Sequence, residues 1–444
     1  MKKAFFFVLL SILLMCLACQ PTPTEEVVNN RIDGSMRSVI LSQAEDPYQY
    51  EAPNAWQEEL SIRDQTIFIH ASIEAPESTM HPVYTVKNRP ITIGTCISLL
   101  QQLFGTDLQI REQEISYEEL LVDLMMAERG HFAGEDEDTG EILWKSYEGQ
   151  EEDINRIKQR LSETPFEESY VPLQSVNLSL PIINQRIQTN KGEKWSLICR
   201  DGGLSLSKTR NQILQTEEMV LAGDAFPGEQ PHALEHIVVS EETAVQISNN
   251  FMEKIGRTEM KVADIKRARL IDDMTNEVLG EGYLIYAVSA SEGCIPVCYG
   301  SYSGCGILNF TNDHYKESYS APWLQERIVL FVTENGIQDI EWTWPKEIVM
   351  TANKNVHLLS FSEVKNNIRK LLKYGLRPDA RESLYVERIV LSTAIQQVQD
   401  QGNEAFLVPV WIVFVRSESE VQRGSSPGVF MVNALDGTYV GRFG

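Results

Sequence analysis

The order of apolar and polar residues predicts both strands and helices in the first half of the chain. Residues 65–73 alternate apolar and polar side chains, which is typical of a half-buried strand, and 82–86 predicts a second strand. Apolar residues at helical spacing predict a helix over 91–104, another that begins after Ser116, and a charged one over 148–161. We therefore expect strands with helices packed on them.

The second half of the chain contains a weak internal repeat. Each copy opens with a serine suited to cap a helix, Ser240 in the first copy and Ser360 in the second. Three apolar or β-branched segments follow each helix, so both copies have the order helix, strand, strand, strand. The strand segments are 262–271, 282–288 and 327–332 in the first copy, and 384–394, 405–414 and 428–433 in the second.

Turn signals support the repeat and indicate the fold class. Asn335-Gly336 in the first copy and Asp436-Gly437 in the second are both typical of hairpin turns. Strands joined by hairpins pair antiparallel, and a helix then covers one face of the sheet. The expected fold is α+β, with antiparallel sheets each covered by helices and the C-terminal half built as two tandem repeats.

These patterns divide the chain of 444 residues into five parts. We expect a signal peptide over 1–19, a flexible linker over 20–46, an N-terminal α+β domain over 47–235, and repeats over 236–352 and 353–444. Roughly 425 residues follow the signal peptide, which suggests two to four domains by the usual domain size.

The first nineteen residues have the features of a lipoprotein signal. Lys2 and Lys3 supply a positive start, 4–17 is an uncharged apolar run that is short for a bilayer span, and Ala18 stands immediately before Cys19. We predict lipidation of Cys19 and attachment to the extracytoplasmic face of the cell membrane. An ordinary cleaved signal peptide and an uncleaved anchor are the alternatives.

Charge and cysteine content narrow the function classes. The net charge of −24 disfavours binding to nucleic acid, and the basic patches that such binding needs are absent from the sequence. Beyond the leader the five cysteines are scattered, apart from the cluster Cys294, Cys298 and Cys305. Two of these three either form a disulfide or serve as small apolar residues in and beside a strand.

Short motifs along the chain resemble a family of uncharacterised lipoproteins. The segments 18–23 (ACQPTP), 341–345 (EWTWP), 408–411 (VPVW) and 433–437 (NALDG) are similar to a family of Gram-positive gut anaerobes classified as domain of unknown function 6034. The helix-plus-hairpin pattern of the two repeats also resembles YycH/YycI and PepSY-like extracytoplasmic modules. That second resemblance implies an antiparallel sheet against a helix and, in several members, control of a sensor kinase or a protease. Neither resemblance implies catalytic residues.

Three short motifs match known catalytic or metal-binding patterns, each in the wrong context. His232-Ala233-Leu234-Glu235-His236 fits a zinc-peptidase pattern, but the following 237–239 favours a strand over the helix that this chemistry needs. Ser205-Leu206-Ser207-Lys208 fits the motif of penicillin-recognising enzymes, but it lies in a strand-like stretch. The acidic stretch 135–141 lacks the final chelating glutamate of a calcium loop. We predict no catalytic residue, no metal site and no cofactor.

Aromatic residues supply the remaining candidates for a binding surface. The long segment 293–322 is unusual for a hairpin connection, and long loops in compact domains are often functional. Aromatic residues on predicted strands, such as Trp342 and Trp411, either line a groove or belong to the core. The candidate partner surface consists of Tyr299, Tyr302, Tyr319 and Trp323.

The function that fits these observations is a non-enzymatic binding or regulatory role at the cell surface. The expected partners are the cytoplasmic membrane, through the lipid, and a peptide or membrane protein held at a sheet edge or in a groove. A zinc-dependent peptidase or other cell-wall hydrolase is one alternative, and a purely structural envelope protein is the other.

Overall fold

A computed structural model describes residues 35–42, 46–62, 65–113, 115–135, 142–200, 202–208, 212–217, 234, 236–272, 277–299, 310–311, 314–315, 324–374, 382–397, 404–423 and 427–443. Within these ranges the chain forms seven α-helices and a 3₁₀ turn at Leu173–Ser175. The helices are α1 (Ser35–Ser42), α2 (Ile93–Phe104), α3 (Tyr117–Arg129), α4 (Gln150–Glu163), α5 (Glu241–Lys254), α6 (Phe361–Tyr374) and α7 (Glu418–Arg423).

Twenty-two strands are described in the same ranges. They are β1 (Ala55–Ile62), β2 (Gln65–Glu74), β3 (Val83–Asn88), β4 (Gln109–Arg111), β5 (His131–Glu135), β6 (Ile142–Lys145), β7 (Tyr170–Pro172), β8 (Ile182–Gln188), β9 (Lys194–Arg200), β10 (Gly203–Ser207), β11 (Gln212–Thr216), β12 (Met260–Asp272), β13 (Val278–Ser289), β14 (Phe310–Thr311), β15 (His314–Tyr315), β16 (Arg327–Thr333), β17 (Gly336–Thr343), β18 (Lys346–Asn353), β19 (Leu384–Gln397), β20 (Ala405–Ser417), β21 (Gly428–Asn433) and β22 (Tyr439–Phe443).

Most strands belong to two large sheets. Sheet I has ten strands in the order β11-β12-β13-β16-β17-β10-β9-β8-β4-β7, all antiparallel. Sheet II has eight strands, with β1-β2-β19-β20-β21-β22 in order, and β3 pairs with both β20 and β18. Within sheet II only β2 and β19 pair in parallel. The chain therefore has the α+β fold that the sequence predicts, with antiparallel pairing dominant.

The internal repeat is visible in the two sheets. In the first copy α5 precedes the antiparallel run β12-β13-β16-β17, and in the second α6 precedes β19-β20-β21-β22. Each of these antiparallel runs has four strands where three were predicted, because the hairpin turns at Gly336 and Gly437 lead into β17 and β22. Both glycines adopt a positive φ, which suits these tight turns.

Capping and burial explain why the repeat helices begin and pack where they do. The Ser240 hydroxyl accepts the N–H of Thr243 at the start of α5, and Ser360 and Glu363 form reciprocal bonds at the start of α6. Ala244 and Phe251 of α5 enter the core of sheet I. The core of sheet II takes four residues of α6, namely Phe361, Val364, Ile368 and Leu372.

The segment predicted as an N-terminal domain does not form one large sheet of its own. Its strands β1 to β3 belong to sheet II beside the second repeat, whereas β4 and β7 to β11 belong to sheet I beside the first. Strand β18, assigned to the first repeat, pairs with β3 in sheet II. The boundaries expected at 235 and 352 therefore divide residues that share sheets.

One local prediction is wrong. Residues 237–239 were expected to form a strand because all three are β-branched, but they form an irregular connection before α5. Val239 is buried and Ile237 packs against the same core while partly exposed, whereas Val238 is 76% exposed. Tertiary packing overrides a strand preference over so short a run.

A candidate binding site at strand β18

Strand β18 lies at an edge of sheet II. It pairs with β3, from Lys346 opposite Asn88 to Asn353 opposite Val83, with register shifts after Ile348 and Thr351. Such shifts mark β-bulges, which are common at sheet edges and bend the strand. Among the described residues no strand pairs with the outer edge of β18.

The middle of β18 is open on its faces as well as at its edge. Residues 347–351 are all exposed, whereas the strand is buried at both ends. At the far end the Asn353 side chain donates to the carbonyl of Ile40 in α1 at 2.7 Å. The open stretch is therefore limited to five residues between two anchored ends.

Three of the exposed residues are consecutive and apolar. Ile348, Val349 and Met350 are 39%, 42% and 58% exposed. Trp344 in the preceding turn is 39% exposed and has a φ of 53°, and its N–H donates to the Gly202 carbonyl at 2.7 Å. Together with Trp344, the three strand residues give four exposed apolar side chains within seven residues of the chain, which we call the β18 patch.

A small cavity lies behind the start of β18, where the two sheets meet. Its apolar lining includes Val86 of β3 and Ile348 of β18, and its charged lining consists of Arg257, Glu326 and Lys346. The cavity has a volume of about 10 Å³, which suits roughly one water molecule. We call this space the Lys346 cavity.

Glu326 is the most highly bonded group in the cavity. Its Oε1 accepts the indole N–H of Trp342 at 2.8 Å. Its Oε2 accepts from the backbone N–H of Lys346 at 3.1 Å, from the Ser289 hydroxyl at 3.3 Å and from the Arg257 guanidinium. Burial raises the pKa of this carboxyl, whereas the neighbouring Arg257 and the Trp342 N–H lower it.

The two cations of the cavity have donor groups without an acceptor. Lys346 is 3% exposed, and its Nζ is buried with no hydrogen-bond partner among the described residues. The Nε of Arg257 is in the same state, although its guanidinium also contacts Glu259 at 2.9 Å. Burial lowers the pKa of Lys346 to about 8, against an opposing effect of Glu326. At neutral pH the lysine is mostly charged, and an oxygen ligand would satisfy it.

Of the four predicted surface aromatics, only Tyr299 lies within the described residues. It is 7% exposed, and its backbone N–H donates to the side chain of Gln325 at 3.1 Å. The tyrosine therefore lines the Lys346 cavity and does not form an outer surface. Tyr302, Tyr319 and Trp323 lie outside the described residues, as does Cys19.

The zinc-peptidase pattern is described only in part, at Leu234 and His236. Leu234 is buried, and the backbone N–H of His236 donates to Glu281 at 2.7 Å. In the part of the chain that the structure describes, no group of three metal-binding side chains occurs. Of the acidic stretch 135–141, only Glu135 is described, at the end of β5.

Three further candidates from the sequence can be located in the structure: the penicillin-enzyme motif, two tryptophans and the cysteine cluster. Ser205 and Ser207 lie in β10, paired on both sides, so the penicillin-enzyme motif lies on a strand as expected. Trp342 and Trp411 are core residues at 4% and 0% exposure. No disulfide joins Cys294 to Cys298 in the described chain, and Cys305 lies outside it.

Sequence reasoning missed the three charged residues of the cavity. Glu326, Lys346 and Arg257 belong to no motif, and a single lysine at the start of a strand is normally solvated. The one local hint that the preceding glutamate is enclosed is the continuous apolar run 328–332, which predicts β16 as a buried strand. Their proximity arises from the junction of the two sheets, which no local pattern encodes.

No helix in the described ranges is both long and apolar enough to cross a membrane. Comparison with protein-family models and with curated proteins finds no match. Among solved structures, the chain is similar to the crystal structure of an uncharacterized protein from Eubacterium rectale. The identity is 12%, the match covers 92% of this chain and 99% of that one, and the TM-score is 0.42. A likeness of this size gives no functional information.

Proposed function

We propose that the chain is a lipid-anchored extracytoplasmic protein with a non-enzymatic binding role. In this proposal an extended segment of a peptide or protein partner lies along the open edge of β18. The observation that carries it is the coincidence, in 347–351, of a strand edge with which no described strand pairs and of exposed Ile348, Val349 and Met350. An added strand gains affinity from main-chain hydrogen bonds and specificity from side-chain contacts.

The composition of β18 differs from that of a protected edge. Edge strands usually avoid self-pairing through charges, prolines or a covering element. β18 has bulges, but its open stretch has three adjacent apolar residues and one acidic residue, Glu347. Because the bulge after Ile348 shortens any regular pairing, we expect the β18 patch to supply much of the contact area.

Charge favours a foreign partner over a second copy of this chain. Each copy has a net charge of −24, so that two copies repel each other, as do the chain and an anionic lipid surface. A peptide with apolar side chains and no net negative charge encounters no such repulsion. We therefore take an extended apolar peptide segment as the occupant.

The membrane location in the proposal is supported by residues 1–19. The positive start, the short apolar run and Ala18-Cys19 together fit export followed by lipidation. Labelling with a radioactive fatty acid in a bacterium that processes lipoproteins should mark the wild-type chain and leave Cys19→Ala unmarked. Equal labelling of the two chains would refute the anchor.

Peptide binding can be tested without knowledge of the natural partner. A phage library of random dodecapeptides is selected against the full chain, and enriched peptides are synthesised for fluorescence polarisation. Val349→Asp should weaken their binding by about tenfold or more, because it places a charge inside the contact. The matched control is Val238→Asp, since Val238 is 76% exposed in the connection before α5.

Hydrogen exchange locates the contact independently. Bound peptide should slow exchange of those backbone amides in 347–351 that point away from β3, because the residues of this stretch are exposed in the free chain. Unchanged affinity in Val349→Asp together with unchanged exchange would overturn the proposal. A dimer that Val349→Asp dissociates would identify a second copy as the occupant instead.

A further inference from the structure

The Lys346 cavity adjoins the β18 patch through two residues of the same strand. Lys346 lines the cavity at the start of β18, and Ile348 both lines it and is 39% exposed. A group that enters past Ile348 would therefore come from a ligand that already lies on β18. The cavity and the patch are thus two parts of one surface.

We propose that the Lys346 cavity binds a carboxylate group of the partner, with the Lys346 ammonium and the Arg257 guanidinium as donors. The inference rests on the proposed function, since it assigns a chemical group to the peptide held on β18. Both donors are buried and have nitrogen atoms without an acceptor among the described residues. Such buried donors are costly unless a ligand or water satisfies them.

An anion fits these donors better than other groups. Lys346 Nζ and Arg257 Nε can only donate, so that a cation or a second donor finds no acceptor on them. The one carboxylate in the cavity, Glu326, already accepts from Trp342, Ser289, Arg257 and the backbone of Lys346. A second carboxylate would supply the missing acceptor.

The size of the cavity restricts the anion. A volume of about 10 Å³ admits about one ligand atom without movement of the walls. A flat carboxylate can insert one oxygen, whereas a tetrahedral phosphate or sulfate is broader in every direction. Two sources remain, the C-terminal carboxylate of a peptide and the side chain of an acidic residue.

The first test uses acetate, which is a carboxylate without a peptide. Thermal unfolding of the full chain is followed in sodium acetate and in sodium chloride at equal ionic strength, with neutral acetamide as a further control. Acetate should raise the Tm of the wild-type chain above its value in chloride, and this increase should vanish in Lys346→Met. Lys158→Met is the matched control, because Lys158 pairs with Glu128 on the surface at 53% exposure.

The second test uses the peptides selected on β18, with the wild-type chain and with Lys346→Met. Each peptide is compared with its C-terminal amide and with versions in which Asp or Glu is replaced by Asn or Gln. Loss of the bound carboxylate should weaken binding by about tenfold or more, and the affected version identifies the source. In Lys346→Met the acid and its neutral version should bind alike.

The outcomes separate the two proposals. Peptides that bind β18 equally well in acid and neutral forms, without an acetate effect, would mean that the cavity holds a water only and would overturn the carboxylate site. Peptide binding to β18 would then still stand. An acetate effect that Lys346→Met abolishes, without any peptide binding, would keep the carboxylate site and overturn the role of β18.

Discussion

Replacement of Lys346 by methionine should stabilise the protein at neutral pH. Lysine and methionine are similar in length, and the stem of Lys346 is already buried, so the change removes mainly a charge. That charge lacks a hydrogen-bond acceptor among the described residues. Glu326 keeps its other donors in the variant, because its contact with residue 346 is to the backbone N–H.

The magnitude follows from the pKa of Lys346. Burial lowers this pKa from 10.5 to about 8, and Glu326 has already reduced the shift. At about 1.4 kcal/mol for each pKa unit, the charged lysine costs the folded state roughly 3 kcal/mol. Lys346→Met should therefore raise the free energy of unfolding by up to roughly that amount at neutral pH.

The same pKa determines how the stability difference between the two chains changes with pH. Between pH 8 and 10.5 the unfolded lysine holds a proton that the folded lysine has released, so that wild-type stability rises with pH in this window. Below pH 8 the full cost is present in the wild-type chain. The advantage of Lys346→Met should thus be greatest below pH 8 and should shrink toward pH 10.5.

Urea unfolding of the two chains across this pH range measures the difference, and other titrating groups cancel because both chains contain them. Lys158→Met should show no such pH-dependent difference. A Lys346→Met chain that is less stable than wild type at neutral pH would refute the reasoning, because the ammonium would then have a favourable partner. A constant difference up to pH 10.5 would also refute it.

Two further predictions concern groups outside the cavity. His81 is fully buried, and burial lowers its pKa to about 4. Between pH 6.5 and 4, acid should therefore reduce the free energy of unfolding of the wild-type chain by up to roughly 3 kcal/mol more than that of His81→Phe. Urea unfolding measures the difference, and parallel pH profiles of the two chains would contradict this. Gly282→Ala should destabilise the chain by roughly 1–3 kcal/mol, because the new Cβ would overlap the Val332 carbonyl of the neighbouring strand β16. Gly280→Ala is its control in the same strand, since a Cβ there would meet only the Thr333 methyl at 3.5 Å, and equal Tm values for the two variants would contradict the packing argument.

Local signals explain which parts of the fold could be predicted from the sequence. Ser240 and Ser360 precede amphipathic helices, and the following strands pair with their neighbours in sequence, so each repeat could be predicted without distant information. The parallel pairing of β2 with β19, with Ile67 opposite Leu384, joins residues that are far apart in the chain. Periodicity predicts that a segment forms a strand but not which strand it pairs with, so the division of the N-terminal strands between the two sheets could not be predicted.

The same limit applies to the candidate site. The long segment around Tyr299 was predicted as a surface because of its length and aromatic residues, yet Ile295 bonds to Leu391 of β19 and the Gln325 side chain bonds to Val297 and Tyr299. These contacts hold residues 295–299 against the rest of the fold. The apolar run of β18 is evident in the sequence, but its place at the edge of a sheet is not. Its exposure depends on which strand lies beside it.

The hydrogen bonds of Glu326 indicate which charged residues of the cavity the fold itself requires. Its donors come from the turn after α5, from the end of β13, from β17 and from the backbone of β18. This one carboxylate therefore fixes the position at which the chain passes from β17 of sheet I to β18 of sheet II. That role requires the charge of Arg257 but only a backbone N–H at position 346. An apolar residue there would supply the same N–H without the cost of a buried ammonium. The fold therefore accounts for Glu326 and Arg257, whereas the charge of Lys346 has only the attraction of Glu326 and no hydrogen-bond acceptor among the described residues. A carboxylate ligand is the role that would use this charge.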